Sequence, residues 1–324
     1  MTRIRHLLCI TLAGIAAAFA APLAAQAAYP EHAVRLVVPF PPGGPSDILG
    51  RVLAEQLSKR WGQSVVVENK PGGLTRIAAM NVMRAQPDGY TLMIGIDATF
   101  SMNPYLYREP GYRPLEDFTH ITLIATQSLV LLANKGTGIS SMQQLIDEAR
   151  KNPGKINFGS ATTSTQLAGE MFKRNAKVDL TYVPYKGNPE VTRAMLANEV
   201  QIGFDGIAAN VPHIQKGDLV PLATTGLQRT PALPDVPSLN ELGMKGYEVR
   251  VWNGLSGPAG MPRAIVDKIQ QDVKAALAQP EVREKLLTLG LETVGSTPEE
   301  YVATINRDAA KYRPLIEELG LRID

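Results

Sequence analysis

The chain has 324 residues, 33 Lys+Arg against 31 Asp+Glu, and a single cysteine. Near-neutral charge without a polybasic run argues against a nucleic-acid partner. One cysteine, Cys9, excludes an internal disulfide framework and a cysteine-based metal site.

Arg3, Arg5 and His6 precede an apolar run from Leu7 to Ala25, and Ala25-Gln26-Ala27 fits a small-x-small cleavage pattern. This predicts a secretory signal peptide over 1–27 and a mature start at Ala28. A membrane anchor fits less well, because alanines and Pro22 dominate the second half of the run. Cys9, Arg3 and Arg5 would leave with the leader, so the mature chain would be cysteine-free and balanced in charge. No later segment is long and apolar enough to span a bilayer. A mature length near 300 residues commonly splits into two domains.

From the mature start, strand and helix signals alternate. Val34 to Val38 reads as a buried strand, followed by a Pro/Gly loop from Pro39 to Pro45. Ile48, Leu49, Val52, Leu53 and Leu57 then recur at helical spacing. Val65 to Val67 predicts a second strand, Pro71-Gly72-Gly73 a loop, Ile77 to Arg84 a helix, and Thr91 to Gly95 a third strand. This order implies a parallel sheet with its strand-to-helix loops along one edge.

Leu123 to Ala133 predicts a long strand leaving the first lobe. Met142 to Arg150 reads as a helix, Ile156 to Ser160 as a strand, and Thr165 to Arg174 as a helix. Val200 to Phe204 and Val220 to Thr224 continue a second sheet, and a Pro-rich segment spans Pro231 to Pro237. Val249 to Leu255 reads as a return strand, and the remainder as mainly helical. Thr297-Pro298-Glu299-Glu300 carries a cap, a first-turn proline and a capping-box glutamate. The expected division is a discontinuous first lobe, 28–127 plus 250–324, and a second lobe, 128–249, joined by two crossings that make a hinge.

Three loops at strand carboxyl ends could hold an anion. Pro41 to Asp47 brings Gly43, Gly44, Ser46 and Asp47 to a helix start, where unpaired N–H groups carry positive partial charge. Ser46 or Asp47 could equally serve only as helix caps. The loop is neither a Walker loop nor a dinucleotide fingerprint. Pro71 to Arg76 repeats the arrangement, with Thr75 and Arg76; a guanidinium offers a fork and a flat face for a second carboxylate or a ring. Ser160 to Gln166 supplies the hydroxyls of Ser160, Thr162, Thr163, Ser164 and Thr165. Phe40, Asp97 and Asp205, each near a strand carboxyl end, complete the candidate set. His32, His120 and His213 stand apart from any nucleophile or second ligand, and no His-Glu-x-x-His, Gly-x-Ser-x-Gly or Ser-x-x-Lys motif occurs. Neither a cofactor nor a metal is expected, and an enzyme is disfavoured.

The chain resembles the Bug family of periplasmic solute receptors, the binding-protein component of tripartite tricarboxylate transporters. The resemblance is nearly collinear from Tyr29 onward. It is carried by Val38-Pro39-Phe40-Pro41-Pro42-Gly43-Gly44 with Asp47, Val67 to Gly72, Pro87 to Leu92, Asn103-Pro104, Asn152 to Lys155, Leu167 to Glu170, Val183 to Gly187, Pro231 to Pro237 and Thr297 to Glu300. It implies a type II periplasmic-binding-protein fold: two α/β lobes with an interlobe cleft closing over a ligand. It also implies a monomer that hands a small carboxylate to membrane permease subunits. The loop matching Gly43 to Asp47 and the loop before Leu167 would hold the carboxylate. A sensor module presenting ligand to a membrane receptor would need the same closure. The sequence departs from the family pattern where Leu74, Thr75 and Arg76 replace a glycine-rich turn, where Gln166 replaces a histidine, and where Phe100 replaces another. These changes favour a dicarboxylate or a bulkier, partly apolar acid such as an aromatic one.

Overall fold

The computed structural model describes residues 29–323; the leader expected over 1–27 lies outside them. No helix among the described residues is long and apolar enough to cross a membrane.

Strand β1 (Val34–Val38) is almost wholly apolar and buried on both faces, as a central parallel strand requires. Helix α1 (Pro45–Trp61) returns the chain to β2 (Val65–Asn69), and α2 (Arg76–Met83) returns it to β3 (Thr91–Ile96). β1 lies between β2 and β3, parallel to both. The expected βαβαβ unit is therefore present, and its strand-to-helix loops share one sheet edge.

A π-helical turn (Ala98–Met102) and the short α3 (Asn103–Leu106) lead into β4 (Phe118–Asn134), longer at its start than its apolar run predicts. Beyond it come α4 (Met142–Lys151), β5 (Asn157–Ser160), α5 (Thr163–Ala176), β6 (Thr181–Pro184), α6 (Asn188–Leu196), β7 (Ile202–Gly206), α7 (Ile207–Lys216) and β8 (Leu219–Thr224). β9 (Arg250–Pro258), α8 (Arg263–Leu277), α9 (Pro280–Leu287), β10 (Glu292–Thr293) and α10 (Pro298–Glu318) complete the chain. Sequence periodicity does not single out α3, α6, α7 or β6. These are short, and α7 carries Pro212 within it.

The strands form one ten-stranded mixed sheet in the order β2-β1-β3-β9-β4-β7-β5-β6, with β10 and β8 also paired to β4. β4 holds the two parts together. From Phe118 to Ser128 it is antiparallel to β9, and from Leu129 to Ala133 it is antiparallel to β7. The change of partner falls where Arg250, the first residue of β9, meets Ser128.

Each side has its own core. Phe158, Phe172, Phe204 and Tyr247 centre one, and Phe100, Phe118, Trp252 and Tyr301 the other. A further cluster joins Ala98 and Met102, Leu167 of α5, and Tyr312, Leu315 and Ile316 of α10. The start of α10 matches its sequence signature: Thr297 Oγ1 accepts from Glu300 N at 3.2 Å, and Glu300 Oε2 accepts from Thr297 N at 2.9 Å.

Gly169 in α5 sets packing against propensity. Alanine is favoured there by about 1 kcal/mol on helix propensity alone. A Cβ, however, would come within 2.7 Å of Cδ2 and Cζ of the buried Phe158 ring. Overpacking of this kind costs about 1–3 kcal/mol. Gly169→Ala should therefore lower stability in urea unfolding, despite its better propensity; a stabilised variant would show that the ring moves freely.

Candidate ligand-binding site

The loop between β1 and α1 is built on one carboxylate. Asp47, the third helical residue, is 1% exposed. Its Oδ2 accepts from Gly43 N at 2.9 Å and from Arg51 Nε at 2.9 Å. Its Oδ1 accepts from Asn69 Nδ2 at 2.8 Å, and the same amide donates to Phe40 O at 2.9 Å. Asp47 thus closes the loop and ties it to β2, instead of capping α1 in the usual way; the cap position is Gly44, without a side-chain bond. Burial pushes the Asp47 carboxyl up, but the donors from Arg51, Gly43 and Asn69 outweigh it and hold it at about 2. Gly43 adopts φ +92°, which glycine alone accepts readily. At Gly44 a Cβ would meet nothing within 4 Å, so glycine keeps open the space above the loop. Ser46 Oγ donates to Asn253 Oδ1 of β9 at 2.8 Å.

The loop between β2 and α2 takes an uncommon path. Gly72, Gly73, Leu74 and Thr75 have φ of +120°, +55°, +48° and +78° in succession. For Leu74 and Thr75 the left-handed region costs about 1–2 kcal/mol each. Neighbours hold the turn: Thr75 Oγ1 and Thr99 Oγ1 lie 2.7 Å apart, and Asn103 Nδ2 donates to Leu74 O at 2.6 Å. Arg76 then lies along the 107–111 segment. Its guanidinium carbon is 5.2 Å from the Tyr107 ring centre, and its buried Nε has no hydrogen-bond partner. No acidic side chain among the described residues forms an ion pair with it.

Asp97, fully buried at the end of β3, makes the contact that reaches the second loop set. Its Oδ2 accepts from Ser164 Oγ in α5 at 2.7 Å, whereas Oδ1 has no partner. Burial pushes this carboxyl up to about 7 against the pull of Ser164 and the Ala98 N–H, and the nearby Asp308 carboxylate adds to the rise.

The hydroxyls before α5 are mostly engaged with one another. Thr162 Oγ1 accepts from Thr165 N at 3.3 Å, Thr165 Oγ1 accepts from Thr162 N at 3.2 Å, and Ser160 Oγ lies 2.8 Å from Thr165 Oγ1. This is a capping box made by two threonines. The first-turn N–H groups of Thr163 and Ser164 have no acceptor within the helix, and the same holds for Ser46 and Asp47 in α1. Asp205, at the end of β7, accepts from Thr192, Asn210, Asn188 and the Gly206 N–H. Burial pushes its carboxyl up against all four donors.

The structure therefore joins Asp97 to Ser164 and Thr75 to Thr99, and it pins Ser46 to β9. It gives Asp47 and Asp205 complete sets of internal donors. Phe100, read from the sequence as shaping the cleft, is a core residue: it is 1% exposed and packs edge-on against Phe118 and His120. His120 is likewise structural. Its Nε2–H donates to Pro114 O at 2.9 Å, and burial lowers it to about 4. Sequence reasoning does not single out Asn69, Thr99 or Asn253 individually, although Asn69 lies within a family-like motif. Two open grooves lie elsewhere, one of about 370 Å3 lined by Ile207, Val211 and Leu287 and one of about 470 Å3 lined by Arg283, Glu284 and Glu292. No cluster of His, Asp and Glu among the described residues could hold a metal ion.

Residues 49–321 match the model of the tripartite tricarboxylate transporter family receptor. A Pseudomonas sp. (strain P51) protein from the tcbD-tcbE intergenic region is 34% identical, covering 91% of this chain and 88% of its own. Among solved structures, R. palustris Rpa4515 with adipate has a TM-score of 0.81 at 33% identity, over 90% of this chain and 98% of that one. The periplasmic binding protein BugD has a TM-score of 0.77 at 34% identity, over 91% and 99%.

The two carboxylates predict opposite pH effects. Asp47, held below its unfolded value, contributes stability above about pH 4 that is lost as pH falls towards 2, of the order of 1–2 kcal/mol. The stability gap between wild type and Asp47→Asn should shrink over that window. Asp97 is held above its unfolded value, so its contribution is fully present below about pH 4 and is lost as pH rises towards 7. Asp97→Asn should flatten that decline in denaturant titrations at stepped pH.

Proposed function

Since the chain belongs to the family of tripartite tricarboxylate transporter receptors, we propose that it captures a small organic carboxylate in the periplasm and hands it, as a monomer, to membrane permease subunits. A dicarboxylate or a partly apolar acid is favoured. One observation carries the reading: α1, α5, α6 and α7 are each the next helix after a parallel strand, so their positive N-terminal ends gather along the carboxyl edges of the sheet. The adipate bound by the R. palustris relative supports a dicarboxylate.

The change of partner in β4 between Ser128 and Leu129, opposite the start of β9, supports a hinge with lobes 28–127 plus 250–324 and 128–249. Closure would bring the N–H groups of Thr163 and Ser164 to a ligand seated on the loop at Gly43, Gly44 and Ser46. Asp47, Asp205 and the Ser160–Thr165 pair act as supports that keep those N–H groups aimed. Arg76, a cation without an acidic partner among the described residues, is assigned the second carboxylate of a diacid.

The test is a thermal-shift and calorimetric panel of mono- and dicarboxylates, with chromatography of the incubated mixtures. The expected result is one-to-one binding without turnover; ligand at a hundred times its dissociation constant adds about 2.7 kcal/mol of stability. Product formation over many turnovers would overturn the receptor reading. Arg76→Ala should weaken diacids by about 2–5 kcal/mol and leave matched monoacids nearly unchanged. Equal losses for both classes would remove Arg76 from the site.

A further inference from the structure

The turn at 72–75 is held in a conformation that two of its residues resist. Only glycine enters the left-handed region without a steric cost, yet Leu74 and Thr75 are both there. The turn is not a loose surface excursion, because Thr75 is bonded to Thr99 and Leu74 O receives the Asn103 amide. Backbone strain that the surroundings over-determine in this way points to a function for what the strained residues present.

What the turn presents is the Leu74 side chain. It is 44% exposed, at the carboxyl edge of the sheet. The exposed Ile77 nearby serves the turn itself. A Cβ at Gly72 would lie 2.7 Å from Ile77 Cδ1, so that side chain braces the turn from beneath. Thr99, the partner of Thr75, is two residues from Asp97, and Asp97 is bonded to Ser164 in α5. The turn that carries Leu74 is thus linked, through Thr99, to the segment that contacts α5. The loop at Gly43 to Asp47 follows the neighbouring parallel strand β1, and it offers backbone N–H groups at the same sheet edge.

We propose that Leu74 is a specificity-determining residue, the apolar contact that recognises the hydrocarbon portion of the bound acid. The inference rests on the carboxylate-receptor reading and deepens it. The ligand class it selects has a carboxylate at one end and a methylene chain or ring next to it, long enough to cover the leucine. A short, fully polar acid would leave Leu74 in water and gain nothing from it.

The experiment is calorimetric titration of straight-chain dicarboxylates of increasing length into wild type, Leu74→Gly and Leu74→Asn. Both replacements tolerate the left-handed region, so the turn can persist without the leucine. Wild type should gain up to about four-fold in affinity per added methylene while the chain extends over the leucine. Both variants should lose most of that gain, with the longest acids weakened roughly ten-fold and the shortest nearly unchanged. Leu74→Gly should melt no lower than wild type, since it relieves strain. A lower melt with the chain-length trend retained overturns the proposal, as does an equal weakening of every acid. Wild type binding none of the series would overturn the carboxylate reading and this inference with it. Wild type binding with the same trend as both variants would overturn the inference alone.

Discussion

Backbone hydrogen bonding along β4 is the constraint on which the rest of the molecule depends. A strand of this length can serve two neighbours in turn, because each residue offers its N–H and C=O independently of its side chain. β9 takes the first stretch and β7 the second, so two cores of different composition are hung from one continuous backbone. Contacts between the two sides include the cluster of Met102, Leu167 and Tyr312, the Asp97–Ser164 bond, and the Arg174–Glu318 and Thr230–Glu292 pairs. Such an arrangement concentrates any change of angle at the crossing strands. It leaves the strand-to-helix loops intact on either side.

Three buried carboxylates stand at strand ends or in the helix start that follows one, and their environments differ. Asp47 has a guanidinium, an amide and a backbone N–H, and ionises readily. Asp205 has four donors but no cation, and burial still prevails. Asp97 has one hydroxyl, the Ala98 N–H and an acidic neighbour, and burial carries it up to about 7. The contrast follows both depth and donors: Asp47 sits nearer the surface with a cation beside it, whereas Asp97 and Asp205 lie deeper without one. Each acid orders the start of a helix or the loop before it.

The parts of the fold legible in the sequence are those with a strong local signature. β1, with its unbroken apolar run, and the start of α10, with Thr297, Pro298 and Glu300, can be read residue by residue. The helix at Asn188–Leu196 cannot, because its apolar face is short and Pro189 and Gly187 resemble a turn. The positions of the loops are legible, but the direction of their side chains is not. A hydroxyl at a helix start has the same sequence signature whether it caps the helix or faces a ligand, and only the partner distances separate Thr165 from Ser164. Phe100 illustrates the same gap. Its ring turns inward because Gly95 leaves room for it, a steric fact that spacing does not encode.

A transport receptor must bind and also release, and this favours helix ends over fixed ion pairs. A helix N-terminus contributes about 0.3–2 kcal/mol to an anion, according to burial. Breaking a buried charge pair costs about 3–5 kcal/mol, because the remaining charge is left without compensation. Several weak, oriented donors therefore hold a carboxylate firmly only while all of them converge on it, which is the closed arrangement. In the proposed closure, moving one set of loops away would remove its donors at once and leave no stranded charge, since the freed N–H groups would meet water. The internal engagement of Asp47, Asp205 and Thr165 fits this logic. Their partners all lie within their own side of the chain, so a hinge of the proposed kind would not disturb the structure that aims the donors.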